Sequence, residues 1–273
     1  MNVIRNHVIE ANMTDVQVLA TEFTSKGETI RGNFVLPTTK GPFPGVCKFH
    51  GLPGGPDQVS GVATRLAEAG FAVLVFDFRG FRKSDGLFSL SGEIADAKVA
   101  ITHLMQSDFA SDSWVGVYGA SYGAAVAVCT AAYDKRIDTV VLRAPVYDTL
   151  WFAKSPMIQP AVENIIKTDP SQINRIEDPK IRKRILQRMI DDAKIHNPMD
   201  EIAKVSPIPL LIIHGAQDTA IDLAGVKKLY ERGGEPKEFI LVEGADHELS
   251  DNTAYERTVH SVVKWFLKQW RNT

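Results

Sequence analysis

The chain is poor in cysteine, with only Cys47 and Cys129 in 273 residues. Two thiols cannot build a disulfide framework and no C-x-x-C pair is present, so the fold rests on a packed core, and a reducing, cytoplasmic setting is the default expectation. Charge of one sign is also lacking. Thirty-one Lys and Arg against 33 Asp and Glu leave a formal charge of −2, which removes the electrostatic footprint of a nucleic-acid partner. Residues Met1 to Gln17 carry charges throughout and lack the apolar centre of a signal peptide. Phosphate-cradling patterns are absent: there is no G-x-x-x-x-G-K-[ST] and no G-x-G-x-x-G opening a helix. His247-Glu248 begins like a zinc-protease signature, but position 251 is Asp, so no metal or other cofactor is expected. Only Ser113–Tyr133 is uncharged for long enough to cross a membrane. Its Gly116, Gly119, Ser121, Gly123 and Thr130 read better as a strand, a tight turn and a buried helix, and no membrane span is expected.

What is present is the composition of a globular protein, 44% hydrophobic and 23% charged. Val16–Thr24 and Ile30–Leu36 read as a hairpin turning at Lys26-Gly27. Beyond Pro44, short apolar runs alternate with helical stretches. The runs are Val46–His50, Val73–Phe78, Trp114–Tyr118, Thr139–Arg143, Leu210–His214 and Phe239–Val242. Continuous apolar runs suit strands buried on both faces, so the expected architecture is α/β, an open and mostly parallel sheet with helices on both sides. Ile94, Ala97, Ile101, Leu104 and Met105 mark one helix; Val259, Val262, Val263, Phe266, Leu267 and Trp270 mark the last. Between Pro145 and Ser206 no strand pattern occurs. Asp178-Pro179 opens a helix there, with a stripe of Ile181, Ile185, Met189 and Ile190 and a basic face of Arg182, Lys183, Arg184 and Arg188. That basic run reads as a solvated face.

Ligands bind beyond the C-terminal ends of strands in such a sheet. After Trp114–Tyr118 stands Gly119-Ala120-Ser121-Tyr122-Gly123, a G-x-S-x-G between strand and helix. It would hold a serine nucleophile on a strained turn at a helix N-terminus. Serine needs a base. Of seven histidines, His247 alone sits on a loop after a late strand and follows both nucleophile and acid in the chain. His7, His103, His196 and His260 lie in an arm or in helical segments, and His50 and His214 end strands. The base needs a carboxylate to hold its tautomer. Asp218, just past Leu210–His214, is the favoured residue, with Asp222 and Asp246 as rivals. An oxyanion would be met by backbone N–H groups of Tyr122 and Leu52, the latter in His50-Gly51-Leu52-Pro53-Gly54-Gly55, where Pro53 has no N–H. Cys47 and Cys129 fall on a strand and a buried helix, where a thiol packs.

With these positions in order, the chain beyond the hairpin resembles the α/β-hydrolase superfamily of serine hydrolases. Asp77-Phe78-Arg79-Gly80-Phe81-Arg82-Lys83-Ser84 is similar to that superfamily's Asp-x-Arg-Gly-x-Gly-x-Ser stretch, with Arg82 in place of a glycine. The resemblance is strongest to cap-bearing carboxylesterases of feruloyl-esterase and serine-aminopeptidase-like type. It implies the α/β-hydrolase fold: a sheet of about eight strands, with a core of residues 1–147 and 206–273 and a helical cap of 148–205 inserted after the sixth strand. The expected activity is hydrolysis of a small-molecule ester through an acyl-enzyme, with Ser121, Asp218 and His247 as the catalytic set. Rival readings are an amide or peptide hydrolase, for which Glu163, Asp148 or Glu248 would meet a free amine, a thioesterase, and a non-catalytic binder on the same fold. Trp151, Phe152, Met157 and Ile158 would line the pocket with Leu52, or would form the insertion's own small core. A homodimer is left open.

Overall fold

The structure is a computed structural model and describes residues 16–54, 59 and 61–272. Residues 1–15, which hold His7 and most of the segment read for a signal sequence, lie outside the described residues.

Strands β1 (Val16–Ser25) and β2 (Glu28–Pro37) form the expected hairpin. Lys26 and Gly27 between them both take positive φ, 48° and 85°. A two-residue turn needs this to match the right-handed twist of its strands. The sheet continues with β3 (Phe43–Phe49), β4 (Ala72–Phe76), β5 (Ala110–Ala120), β6 (Thr139–Arg143), β7 (Leu210–Gly215) and β8 (Lys237–Val242). The eight strands are ordered β1-β2-β4-β3-β5-β6-β7-β8, parallel from β4 onward and antiparallel at the hairpin edge. Every residue of β4 and β7 is buried, as the unbroken apolar runs require. Successive side chains go to opposite faces: Leu74 and Phe76 enter one core cluster, Val73 and Val75 the other.

Helices α1 (Val62–Glu68) and α9 (Asn252–Arg271) cover the face carrying Val73 and Val75. In α9 the stripe expected from the sequence packs inward, joined by Trp265, whose indole donates to Thr139 Oγ1 at 2.8 Å. Helices α2 (Leu90–Met105), α3 (Tyr122–Ala131) and α8 (Leu223–Arg232) lie on the other face. The uncharged stretch Ser113–Tyr133 is thereby explained: it is most of β5, the turn and α3, and all ten residues of α3 are buried. Among the described residues no helix is long and apolar enough to cross a membrane.

Between β6 and β7 come α4 (Thr149–Ala153), α5 (Ile158–Thr168), α6 (Pro179–Ala193) and α7 (Pro198–Glu201), with two short 3₁₀ turns. Asp178 caps α6 by accepting from the Lys180 and Ile181 N–H groups. Ile181, Ile185 and Met189 are buried, while Ile190 at the edge of the stripe is only half-buried. On the basic face, Arg182 donates to the Ile176 carbonyl at 3.2 Å, Arg188 pairs with Asp192 at 3.3 Å, and Lys183 and Arg184 are exposed. The insertion is tied to the loop after β4 by backbone: Phe81 bridges Ile173, and the Asn174 N–H donates to the Gly80 carbonyl at 2.8 Å.

Candidate active site

Ser121 occupies the turn between β5 and α3 with φ 54° and ψ −117°, a conformation few side chains adopt without support. Its surroundings over-determine it. The Ser121 N–H donates to the Arg143 carbonyl at 2.9 Å, and the Ser121 carbonyl accepts from Val146 N–H at 3.0 Å. The flanking glycines are there for space. A Cβ on Gly119 would sit 2.5 Å from the Gly123 carbonyl oxygen, and one on Gly123 would sit 2.3 Å from that of His50. Either would push α3 off the sheet.

His247, on the loop after β8, brings Nε2 to 3.1 Å from Ser121 Oγ. Its Nδ1 lies 2.8 Å from Asp218 Oδ2, so the three side chains form one hydrogen-bonded line. Asp218 is fully buried at its carboxylate, and Oδ1 accepts from the Ala220 and Ile221 N–H groups at 2.9 Å each. Burial alone would raise its pKa; the His247 hydrogen bond and the Ile221 N–H outweigh that and hold the carboxyl below its usual value. The rival acids are engaged elsewhere. Asp222 caps α8 through Ala224 and Gly225 N–H, and Asp246 accepts from Ser250 N–H. Of the other histidines, His103 packs against Phe23 and Phe34 and bonds Thr21, His196 faces Glu201, and His260 is exposed. His214 is buried with Nδ1 4.0 Å from Asp218 Oδ2, and burial lowers its pKa.

The loop after β3 lies against the serine: a Cβ on Gly51 would be 2.9 Å from Ser121 Cβ. His50 shapes that loop. Its Nε2 accepts from Phe78 N–H at 3.0 Å, and its Nδ1 donates to the Gly51 carbonyl at 2.8 Å. Since that carbonyl and the Leu52 N–H share one trans peptide unit, fixing the first aims the second away from the imidazole. Burial lowers the His50 pKa to about 4, which keeps the ring neutral in this role. Tyr122 opens α3, so its N–H has no acceptor within the helix.

Two arginines complete the surroundings, and sequence reasoning assigned a site role to neither. The Arg143 guanidinium donates to the His247 carbonyl while its own carbonyl holds the Ser121 N–H, so one residue fixes both segments. No local pattern announces a long side chain reaching from β6 to the loop after β8. Arg82 stands at φ 44°, where the resembling stretch carries glycine. It reaches the Gly54 carbonyl at 3.4 Å and Asp169 of the insertion at 3.8 Å. Arg79 in the same stretch is structural, forked onto the buried Asp96 with a closest approach of 2.5 Å.

Ser121 and His247 open into a cavity of about 310 Å³ whose remaining lining is apolar among the described residues. Leu52, Phe152, Met157 and Ile158 line it as the sequence suggested. Trp151 does not: it is 37% exposed and stacks on Tyr147 at 5.0 Å, because α4 turns Phe152 inward and its neighbour outward. Phe88, Val162, Ile165, Ile173, Ile176, Ile185, Leu186, Met189 and Ile221 line it as well. The stripe of α6 was visible in the sequence as an apolar face, but not as a wall of this cavity. A larger cleft of about 880 Å³, by Thr21, Arg31, Asp77 and Lys83, contains neither Ser121 nor His247. Among the described residues no cluster of three or more His, Cys, Asp or Glu is placed to hold a metal, and both cysteines are buried.

The eight-stranded, mostly parallel sheet with its helices, and with a serine at the β5–α3 turn, defines an α/β hydrolase. Residues 42–253 match the serine aminopeptidase S33 family, and the chain belongs to it. Protein YfhR of Escherichia coli K12 is 26% identical over 230 residues, covering 83% of this chain and 72% of that one. Quorum-quenching protein AidA of Acinetobacter baumannii is 30% identical over 135 residues, covering 48% of this chain and 44% of its own. The structure of Est1E from Butyrivibrio proteoclasticus with ferulic acid bound has a TM-score of 0.74 at 17% identity, covering 92% of this chain and 99% of that one.

Proposed function

We propose that the protein is a serine hydrolase that cleaves carboxylic esters through an acyl-enzyme. The observation that carries this reading is the line Asp218–His247–Ser121 ending in a cavity without a carboxylate, ammonium or guanidinium among its described lining residues. His247 takes the Ser121 proton as Oγ bonds to the ester carbon, and gives it to the departing alkoxide as the C–O bond breaks. Water then bonds to the acyl carbon, losing a proton to His247, which passes it to Ser121 Oγ as the acyl C–Oγ bond breaks and the carboxylic acid leaves. Asp218 holds the imidazole in the required tautomer, and the Leu52 and Tyr122 N–H groups meet the oxyanion.

The family name raises a second reading, removal of an N-terminal amino acid. A free amine needs an acidic partner, and the three carboxylates the sequence offered are not in the cavity lining. Asp148 caps α4 and bonds Asn197, Glu163 accepts from Gln159, and Glu248 is exposed. Turnover of p-nitrophenyl esters against aminoacyl anilides separates the two, with esters expected to be cleaved faster. A fluorophosphonate should label the protein at Ser121, and Ser121→Ala should lose both labelling and about 10⁴-fold or more in kcat. Wild-type turnover by a folded Ser121→Ala protein would refute the mechanism.

A further inference from the structure

Among the described residues, the cavity beside Ser121 is walled by apolar side chains apart from Ser121 and His247. Ser121 Oγ and His247 Nε2 lie 3.1 Å apart, so its polar side chains are together, and α5 and α6 supply Ile158, Val162, Ile165, Ile185 and Met189. A phenol, a charged head or an amide placed among those side chains would lose water and gain no hydrogen-bond partner, at a large cost. The two aromatic rings that reach the cavity, Phe88 and Phe152, are both packed against Tyr122. Isoleucines and methionines fit a flexible alkyl chain, which can follow an irregular outline. The cavity also lies where a chain attached to Ser121 can stay throughout the reaction. The acyl group remains bonded to Oγ until water cleaves it, whereas the alcohol must leave before that water can attack.

Resting on the ester-hydrolase reading above, we infer that this cavity holds the acyl chain and selects esters of uncharged saturated fatty acids. Its volume of about 310 Å³ leaves room for an acyl chain of several carbons beyond the ester carbonyl. Hydroxycinnamoyl and aminoacyl groups are poor fits to the same walls.

Two ester series test this. In the first, p-nitrophenyl esters run from acetate to palmitate; in the second, acetate is fixed and the alcohol lengthens. In the first series kcat/KM should rise about fourfold per methylene up to octanoate or decanoate and fall beyond laurate. The second should be nearly flat, and feruloyl esters should fall at least tenfold below octanoate. Val162→Phe projects a ring into the cavity and should shorten the preferred chain by several carbons, with thermal denaturation confirming that the variant folds. A maximum at acetate, a dependence on the alcohol in place of the acyl chain, or an unmoved optimum in folded Val162→Phe would overturn the assignment. If Ser121 is labelled and esters are cleaved with no chain preference, the acyl-chain inference falls and the hydrolase reading stands. If folded Ser121→Ala still turns over, both fall.

Discussion

The turn that carries Ser121 and the helices that wall the cavity are built on different terms. At the turn, backbone does the positioning. Positive φ at Ser121, close approach at Gly119 and Gly123, and the pinned Gly51 peptide leave hardly any freedom. In the insertion, position comes from apolar faces packing together, and Met157, Leu186 and Met189 are side chains that adjust. Groups that the proposed chemistry must hold to a fraction of an ångström sit at strand ends, while the proposed acyl-chain site is walled by the apolar faces of the insertion helices.

That contrast can be broken at several points. The largest effect is expected at the core end. Asp218→Asn keeps the shape but removes the acceptor that fixes the His247 tautomer, and kcat should fall by about 10³–10⁴-fold with the chain-length preference unchanged. Steady-state kinetics across the ester series checks both halves. Arg143→Met should come next, since it frees the His247 carbonyl: kcat should fall about 10–100-fold with KM little changed, and Arg143→Lys should recover part of the loss. A rise in KM alone would place Arg143 with the substrate, away from the loop it is read as holding.

The last effect is on stability and not on turnover. His50 is neutral in the fold, with a pKa lowered from 6.5 to about 4 by burial. The unfolded chain therefore binds the extra proton first as pH falls. The stability His50 contributes is complete above pH 6.5 and is lost as pH drops through about 4, in total about 3 kcal/mol. Thermal denaturation between pH 7 and 4 should show this decline, and His50→Gln should flatten it. An unchanged pH dependence in the variant would assign the acid sensitivity to other groups, Asp218 among them, whose stabilising ionisation is lost at lower pH.

Much of this was readable along the chain because it depends on neighbours in sequence. The hairpin turn, the Gly-x-Ser-x-Gly turn, the Asp178 cap and the all-buried strands each follow from residues a few positions apart. Asp218 could be favoured over Asp222 because it comes first after β7, and the structure adds that Asp222 is occupied in capping α8. The orientation of Trp151 could not be read from the sequence, for the opposite reason. Adjacent helical residues point about 100° apart, and which of Trp151 and Phe152 faces the cavity depends on how α4 lies on the core. Arg82 was visible as a departure from glycine, but its reach to Gly54 and Asp169 depends on two loops and a helix end meeting.

Local sequence thus specified the elements, the serine turn and the order in which serine, acid and base follow one another, since backbone sterics and hydrogen-bond valence act over a few residues. The meeting of Ser121, Asp218 and His247 beyond the C-terminal ends of three strands, the bracing by Arg143 and the outline of the cavity arise only on folding. They join groups between 29 and 126 positions apart, and the distances between such groups are set by how helices pack on a twisted sheet.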